Sequence, residues 1–387
     1  MIAFDGLQGR LATVLERNHA AGIEVGASVA VCRSDEVLAV ANVGHVDLAR
    51  TKPWTDETIV LIWSATKGPA SACLLHALET AGYGLDSRVC EFWPAFADRG
   101  KADITVGDVL SHRAGLSAID DASASVLDHE SVVRAIENQP RLWQAGTFHA
   151  YGPRVFGFLL DEMVRRLSGA ESLGAYWELT FREPHRLHLW IGLPVEHHER
   201  VAQMLPPKAS GCPDENDPFI AAMNAPTSLT RKSFSAPAGV PGVTPMNSPA
   251  MRSASIPSFG GISDAVSLAR FYAGLAASGS TSGSGWVTPH VFQQASNRIS
   301  QGLDEVLRVE TAFAAGFMLD PLDADGKKTR ETFGPTLNAF GHPGAGGSLA
   351  FADPASGIGF AYVMNQMQSG VLPRERARDL VRAVYTS

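Results

Sequence analysis

The stretch Ile59-Val60-Leu61-Ile62-Trp63-Ser64-Ala65-Thr66-Lys67-Gly68 decides how the rest of the chain is read. An apolar run ends at Ser64, and the spacing of apolar residues beyond it predicts a helix from Ser64 to Ala81. Ser64 and Lys67 then lie one helical turn apart on the same face. A serine hydroxyl is a poor nucleophile until a base takes its proton. Lys67 serves as that base if burial or a neighbouring cation holds it uncharged, because a free lysine titrates near about 10.4. The start of a helix also favours a developing oxyanion. No other S-x-x-K occurs in the chain. Alone, the pattern equally describes a serine helix cap followed by a solvated lysine, so its weight depends on what accompanies it.

Two later segments accompany it. Gly146-Thr147-Phe148-His149-Ala150-Tyr151 leads into a helix expected from Gly152 to Leu167, with Pro153 in its first turn. Tyr151 in a cleft would relay a proton, and a nearby ammonium would favour its phenolate; the plainer alternative is an aromatic staple at the helix start. Gly341-His342-Pro343-Gly344-Ala345-Gly346-Gly347-Ser348 stands directly before an expected strand. Its glycines permit close approach of backbone to a ligand and offer N–H groups to an oxyanion, and His342 would polarise the substrate or Tyr151. A tight turn into an edge strand is the other reading.

Farther out, Ala27 to Cys32 and Val37 to Val43 form a hairpin signal, preceded by an amphipathic helix in the first twenty residues. Helical spacing recurs at Thr105 to His112, Glu130 to Asn138 and Ser263 to Ala277, and Pro206 to Pro257 reads as an extended loop region. Strands return at Phe313 to Leu319, Ser348 to Ala352 and Gly359 to Met364, and a helix from Arg374 to Tyr385 closes the chain. Strands at both ends around a helical middle imply an α+β fold, an α/β sandwich. Its antiparallel sheet is built from both termini (1–70 with 280–387) and flanked by helices, with a mainly helical region, 71–279, inserted over a cleft.

Composition narrows the partner. The chain has 387 residues, 45% hydrophobic and 19% charged, enough for a large core. A net charge of -8 with no run of like charges excludes nucleic acid and an anionic membrane surface as expected partners. That leaves a small molecule, with the oligomeric state open. No signal-peptide pattern or membrane span is read in the sequence, so a cytoplasmic location is expected. Cys32, Cys73, Cys90 and Cys212 are far apart with no C-x-x-C, which argues for reduced thiols rather than zinc or a disulfide framework. His185, His188, His197 and His198 lack H-E-x-x-H spacing and read as surface histidines, so no metal and no cofactor is expected. There is no G-x-S-x-G, which disfavours an α/β-hydrolase.

Taken in order, S-x-x-K, the tyrosine element and the Gly-rich segment resemble the serine β-lactamases, penicillin-binding proteins and related esterases. Thr105-Val106-Gly107-Asp108-Val109-Leu110-Ser111-His112-Arg113-Ala114-Gly115-Leu116 is similar to the T-V-x-x-L-L-x-H-x-A-G-L stretch of class C-like members. Phe259-Gly260-Gly261-Ile262-Ser263-Asp264 resembles their Gly-rich lead into a late helix, and Glu183-Pro184 with Trp190-Ile191-Gly192-Leu193-Pro194 resembles family VIII carboxylesterases. The resemblance implies Ser64 as acylated nucleophile, Lys67 as base and Tyr151 as proton relay. It further implies the backbone N–H groups of Ser64 and Ala345 as oxyanion hole, with Trp63, His149, His342 and Gly344 near the substrate. Two departures matter: Tyr151-Gly152-Pro153 breaks the Y-x-N triplet, and His342-Pro343-Gly344 replaces Lys-Thr-Gly. A mostly neutral histidine holds an anionic substrate less well than a lysine, which favours a carboxylesterase acting on small esters. A class C-like β-lactamase or D-aminopeptidase-type amidase is the alternative within the fold. An inert binder of β-lactams or peptidoglycan fragments is the alternative outside catalysis.

Overall fold

The computed structural model describes residues 6–208, 217–279, 285–370 and 372–386. Its main sheet grows from the two ends of the chain. Strands β1 (Gly26–Arg33) and β2 (Glu36–Gly44) come from the N-terminal hairpin. Strands β6 (Ser300–Leu303), β7 (Glu310–Phe313), β8 (Met318–Leu319), β9 (Phe340–Pro343), β10 (Leu349–Asp353) and β11 (Ile358–Met364) come from the C-terminal part. The order is β2-β1-β11-β10-β9-β8-β7-β6, antiparallel throughout, so the last long strand pairs with the first (Ala27 opposite Met364, Cys32 opposite Gly359). β1 and β11 are buried along nearly their whole length, which suits central strands covered on both faces.

Helices supply those covers. Leu7–Ala20 buries Leu7, Leu11 and Leu15, and Glu375–Tyr385 buries Ala377, Leu380, Val381 and Val384, both against one face of the sheet. Ala265–Ser278 covers the other face, against β1, β10 and β11. There Gly359 is indispensable, since a Cβ on it would lie 2.1 Å from the Ala269 carbonyl oxygen of that helix. The mainly helical region follows, with Val155–Ser168 packed on Lys67–Ala81. Among the described residues no helix is long and apolar enough to cross a membrane.

Several elements differ from the sequence reading, each for a local reason. The Phe313 to Leu319 strand is two strands, because Ala314 to Phe317 turns tightly: Ala314 N–H donates to Phe317 O at 2.9 Å, and Gly316 has φ +82°. His342 lies within a strand, β9, rather than in a turn before one. The second helix of the site begins at Val155, so Pro153 precedes it. Its carbonyl is taken by a lysine side chain instead of the helix. The Pro206 to Pro257 region holds short helices, Pro218–Asn224, Leu229–Ser235 and Pro249–Ser253, capped by Asp217, Ser228 and Ser248. Asp-Pro and Ser-Pro at helix starts are capping signals legible in the sequence. Cys212 lies outside the described residues, and Cys32, Cys73 and Cys90 are free thiols.

Candidate active site

A second, three-stranded sheet sets the position of Ser64. Strands β3 (Val60–Leu61) and β4 (Leu189–Ile191) flank β5 (Gly261–Ser263), with Val60 opposite Ser263 and Leu61 opposite Ile262. Ile62 N–H continues the ladder to Gly261 O at 2.9 Å. The chain then breaks sharply: Trp63 adopts φ +51°, and Trp63–Thr66 forms a 3-10 turn before the regular helix starts at Lys67. The helix expected from Ser64 therefore begins three residues later. Thr66 holds the break by donating its hydroxyl to Trp63 O at 2.5 Å while accepting Gly261 N–H at 2.8 Å. Positive φ at tryptophan is strained, and the buried Trp63 ring, stacked 6.4 Å from Phe259, keeps it there.

Lys67 is fully buried with three partners: Ser258 O at 2.7 Å, Pro153 O at 3.1 Å and Ser64 Oγ at 3.4 Å. Burial drives its pKa well below the ordinary lysine value. A neutral amine has two N–H bonds and one lone pair. In that form the two carbonyls would take the N–H groups and leave the lone pair for the Ser64 hydroxyl proton. Ser258 is delivered by close backbone contact: its hydroxyl accepts Gly157 N–H at 2.7 Å and donates to Arg154 O, and a Cβ on Gly157 would sit 2.1 Å from Ser258 N.

Tyr151 completes the arrangement. Its ring centroid is 4.9 Å from Lys67 Nζ, and Ser64 is near enough to the phenol to act on its pKa. Burial raises the phenol above its ordinary pKa, against a lesser lowering by Ser64. The expected phenolate is therefore disfavoured, and burial works against the charged form of both groups, raising the phenol and lowering the amine. Ser64 thus stands between the two groups, with Oγ 3.4 Å from Lys67 Nζ on one side and the Tyr151 phenol on the other.

The loop carrying Tyr151 is held by residues the sequence did not single out for this role. Asp304, fully buried, accepts Tyr151 N–H at 3.1 Å, Val306 N–H and Leu307 N–H at 2.8 Å, and the Thr311 hydroxyl at 3.3 Å. His112 Nδ1 accepts Gly152 N–H at 3.2 Å, so its proton is on Nε2 and the ring is neutral; burial, then Lys67 and His342, keep it so. His149 belongs to this support and faces inward, with Nε2 2.8 Å from Thr311 Oγ1 and 4.0 Å from Asp304 Oδ2. Its pKa falls to about 4, chiefly through burial.

Burial raises Asp304 to about 6 from 3.8. Because the folded form holds this proton more tightly than the unfolded chain, Asp304 stabilises the fold below about pH 4, and that contribution is lost as pH rises through about 6. Asp304→Ala would orphan four donors, two of them at least costing roughly 1–3 kcal/mol each, and is expected to lower the melting temperature and activity together. Asp304→Asn keeps an acceptor for Val306 and Leu307, and its stability is expected to lose the wild type's decline between pH 4 and 6. Thermal denaturation across that range checks both; an unchanged profile in Asp304→Asn would remove Asp304 as the titrating group.

The segment Gly344–Ser348 closes on the nucleophile turn. Ser348 Oγ donates to Ile62 O at 2.9 Å, and a Cβ on Gly344 would lie 2.3 Å from the same carbonyl oxygen. Ala345 opens a short 3-10 turn, as Trp63-Ser64 opens the other, so the N–H groups of Ser64 and Ala345 have no helical partner. Both residues are partly exposed within otherwise buried runs. His342 is buried with its ring centroid 5.8 Å from that of Tyr151. Its Nδ1 donates to Pro343 O at 2.7 Å, which leaves Nε2 as an unprotonated, unpartnered acceptor. Burial, then Lys67, lowers its pKa to about 3. Ser64, Lys67, Tyr151, His342, Gly344, Ala345 and Trp63 thus converge. The other histidines have separate partners: His185 stacks on Trp286, His188 pairs with Asp264, His197 packs on Trp190 and His198 contacts Leu193 O.

The beta-lactamase family model matches residues 12–384. The esterase/beta-lactamase LipL of Mycobacterium tuberculosis is 30% identical over 354 residues, 86% of this chain and 75% of that protein. Among solved structures, a penicillin-binding protein homolog from Caulobacter crescentus is 32% identical with a TM-score of 0.84, covering 98% of this chain and 97% of that one. A family VIII carboxylesterase is 28% identical, also with a TM-score of 0.84 and coverage of 98% and 97%.

Proposed function

The chain belongs to the beta-lactamase family, and from that premise we propose that it is a carboxylesterase that cleaves small uncharged esters through an acyl-enzyme on Ser64. In this reading Ser64 Oγ attacks the ester carbonyl while its proton passes to Lys67 Nζ. The carbonyl oxygen, now negative, accepts the N–H groups of Ser64 and Ala345. Tyr151 gives its proton to the departing alkoxide and regains one from Lys67. Water then attacks the acyl group along the same path in reverse and releases the acid, with Ser64 and Lys67 restored.

The observation that carries the proposal is the buried amine of Lys67, 3.4 Å from Ser64 Oγ and 4.9 Å from the Tyr151 ring centroid, in surroundings that work against its charge. Burial works against the charged forms of Lys67, His112, His149 and His342, which weakens the attraction of these bases for a substrate carboxylate. That favours neutral esters over anionic β-lactams. The buried free thiols of Cys32 and Cys73 suit a reducing compartment and support a cytoplasmic location.

The test is hydrolysis of p-nitrophenyl acetate and butyrate beside nitrocefin, with the quenched enzyme digested and weighed. Ester turnover, slow or no nitrocefin cleavage, and an acyl adduct on the Ser64 peptide are expected. Rapid nitrocefin cleavage would instead favour the β-lactamase, and a stable adduct without turnover would favour a binding protein.

A further inference from the structure

The turn that offers Ala345 N–H contains Gly346 and Gly347 at φ +81° and +120°, a conformation that the two glycines do not fix by themselves. A buried cation meets it from behind. Arg376, in the first turn of the closing helix, donates Nη2 to Gly346 O, and that oxygen also accepts Gln368 N–H at 2.9 Å. A Cβ on Gly347 would lie 2.9 Å from Arg376 Nη2, so glycine is what admits the guanidinium. Arg376 and Glu24 are side chains with 1% and 0% exposure, paired at 3.1 Å, and Tyr362 donates its hydroxyl to the other oxygen of Glu24.

A buried ion pair is weak evidence for stability, since packed apolar residues would serve as well. An apolar residue would not, however, donate to Gly346 O. The carbonyl of Gly346 and the N–H of Gly347 share one rigid peptide plane. Gly347 N–H donates to Gly344 O at 3.1 Å, and Gly344 C=O shares its plane with Ala345 N–H. The path therefore runs from guanidinium to peptide 346–347, to peptide 344–345, to the Ala345 N–H that the acyl-transfer reading assigns to the oxyanion hole. Each bond in such a chain polarises the next.

We propose that Arg376 is a positioning residue for the oxyanion hole, orienting and polarising Ala345 N–H through two intervening peptide groups. This rests on the acyl-transfer reading of Ser64 and Ala345. Its test is the ratio of kcat/KM for an oxo ester to that for the matched thionoester, because a sulfur anion gains less from N–H donors than an oxygen anion. Arg376→Met is expected to lower oxo-ester kcat by roughly 10- to 100-fold with little change in KM, and to cut the oxo/thiono ratio about tenfold. Glu24→Gln disturbs the same buried pair but leaves the guanidinium on Gly346 O, so its melting temperature is expected to fall while the ratio stays near wild type. Arg376→Lys retains a charge without the fork and is expected to fall between, which serves if Arg376→Met does not fold. A wild-type ratio in both Arg376 variants, with activity tracking melting temperature, would overturn the proposal. Ser64→Ala, run alongside, separates the outcomes: if it retains activity the acyl-transfer reading itself fails, and if it is dead while the ratio is unmoved only the role of Arg376 fails.

Discussion

Ser64→Ala is expected to reduce kcat/KM for p-nitrophenyl butyrate by roughly five to six orders of magnitude, the loss seen when a lone serine nucleophile is removed. The fold gives little reason for a parallel loss of stability. Ser64 is partly exposed, its hydroxyl is 3.4 Å from Lys67, and alanine keeps the 3-10 turn that Trp63 and Thr66 hold. The backbone N–H of residue 64 also survives the substitution, so ground-state binding and residual oxyanion stabilisation remain, and a rate above that of water is expected to persist. Melting temperature within a degree or two of wild type, absence of the acyl adduct by mass spectrometry and a collapsed kcat/KM form the expected set. Retention of activity within about a hundredfold would move the nucleophile to another residue.

Legibility followed the range of the physics. Ser64 and Lys67 are joined by a single turn, so their relation was visible in the chain itself, and their order relative to Tyr151 and His342-Pro343-Gly344 added the rest. The β1–β2 hairpin and the closing helix were legible because each is long enough to show its period. Two-residue strands such as β3 and β8 show none, and β9 is too rich in Gly and Pro to resemble a strand. What holds Lys67 was hidden for a different reason: Pro153 O and Ser258 O are backbone carbonyls, which every residue type carries. Asp304 was hidden by distance, 153 residues beyond the tyrosine whose N–H it accepts. The charge states failed to follow from motif chemistry because they depend on burial. Proximity of an amine to a phenol suggested an ion pair, whereas desolvation works against the charge of each.

Lys67→Met is expected to separate activity from stability. Methionine fills the space of the lysine without a lone pair, so the Ser64 proton has no acceptor and kcat is expected to fall roughly 10⁴-fold. Stability responds to opposing effects. Losing the amine leaves Pro153 O and Ser258 O without that donor, a cost of roughly 1–3 kcal/mol each. Against this, wild-type folding works against the proton of a lysine that is charged in the unfolded chain, because burial lowers its folded pKa well below the usual value. Between the folded and unfolded pKa the unfolded chain binds more protons, so wild-type stability rises with pH across that interval, and the variant lacks this rise. Lys67→Met is therefore expected to melt no lower than wild type near pH 7 and to lose that standing as pH climbs toward 10. The kinetic counterpart has the same origin: wild-type kcat/KM is expected to be full above the lowered pKa of Lys67 and to fall as acid protonates the base. Melting curves at pH 7 and 9.5, with a pH–rate profile of the wild type, read both. A variant less stable at pH 7 and relatively better at pH 9.5 would mean that Lys67 folds as an ammonium, and its role as resting base would fail with it.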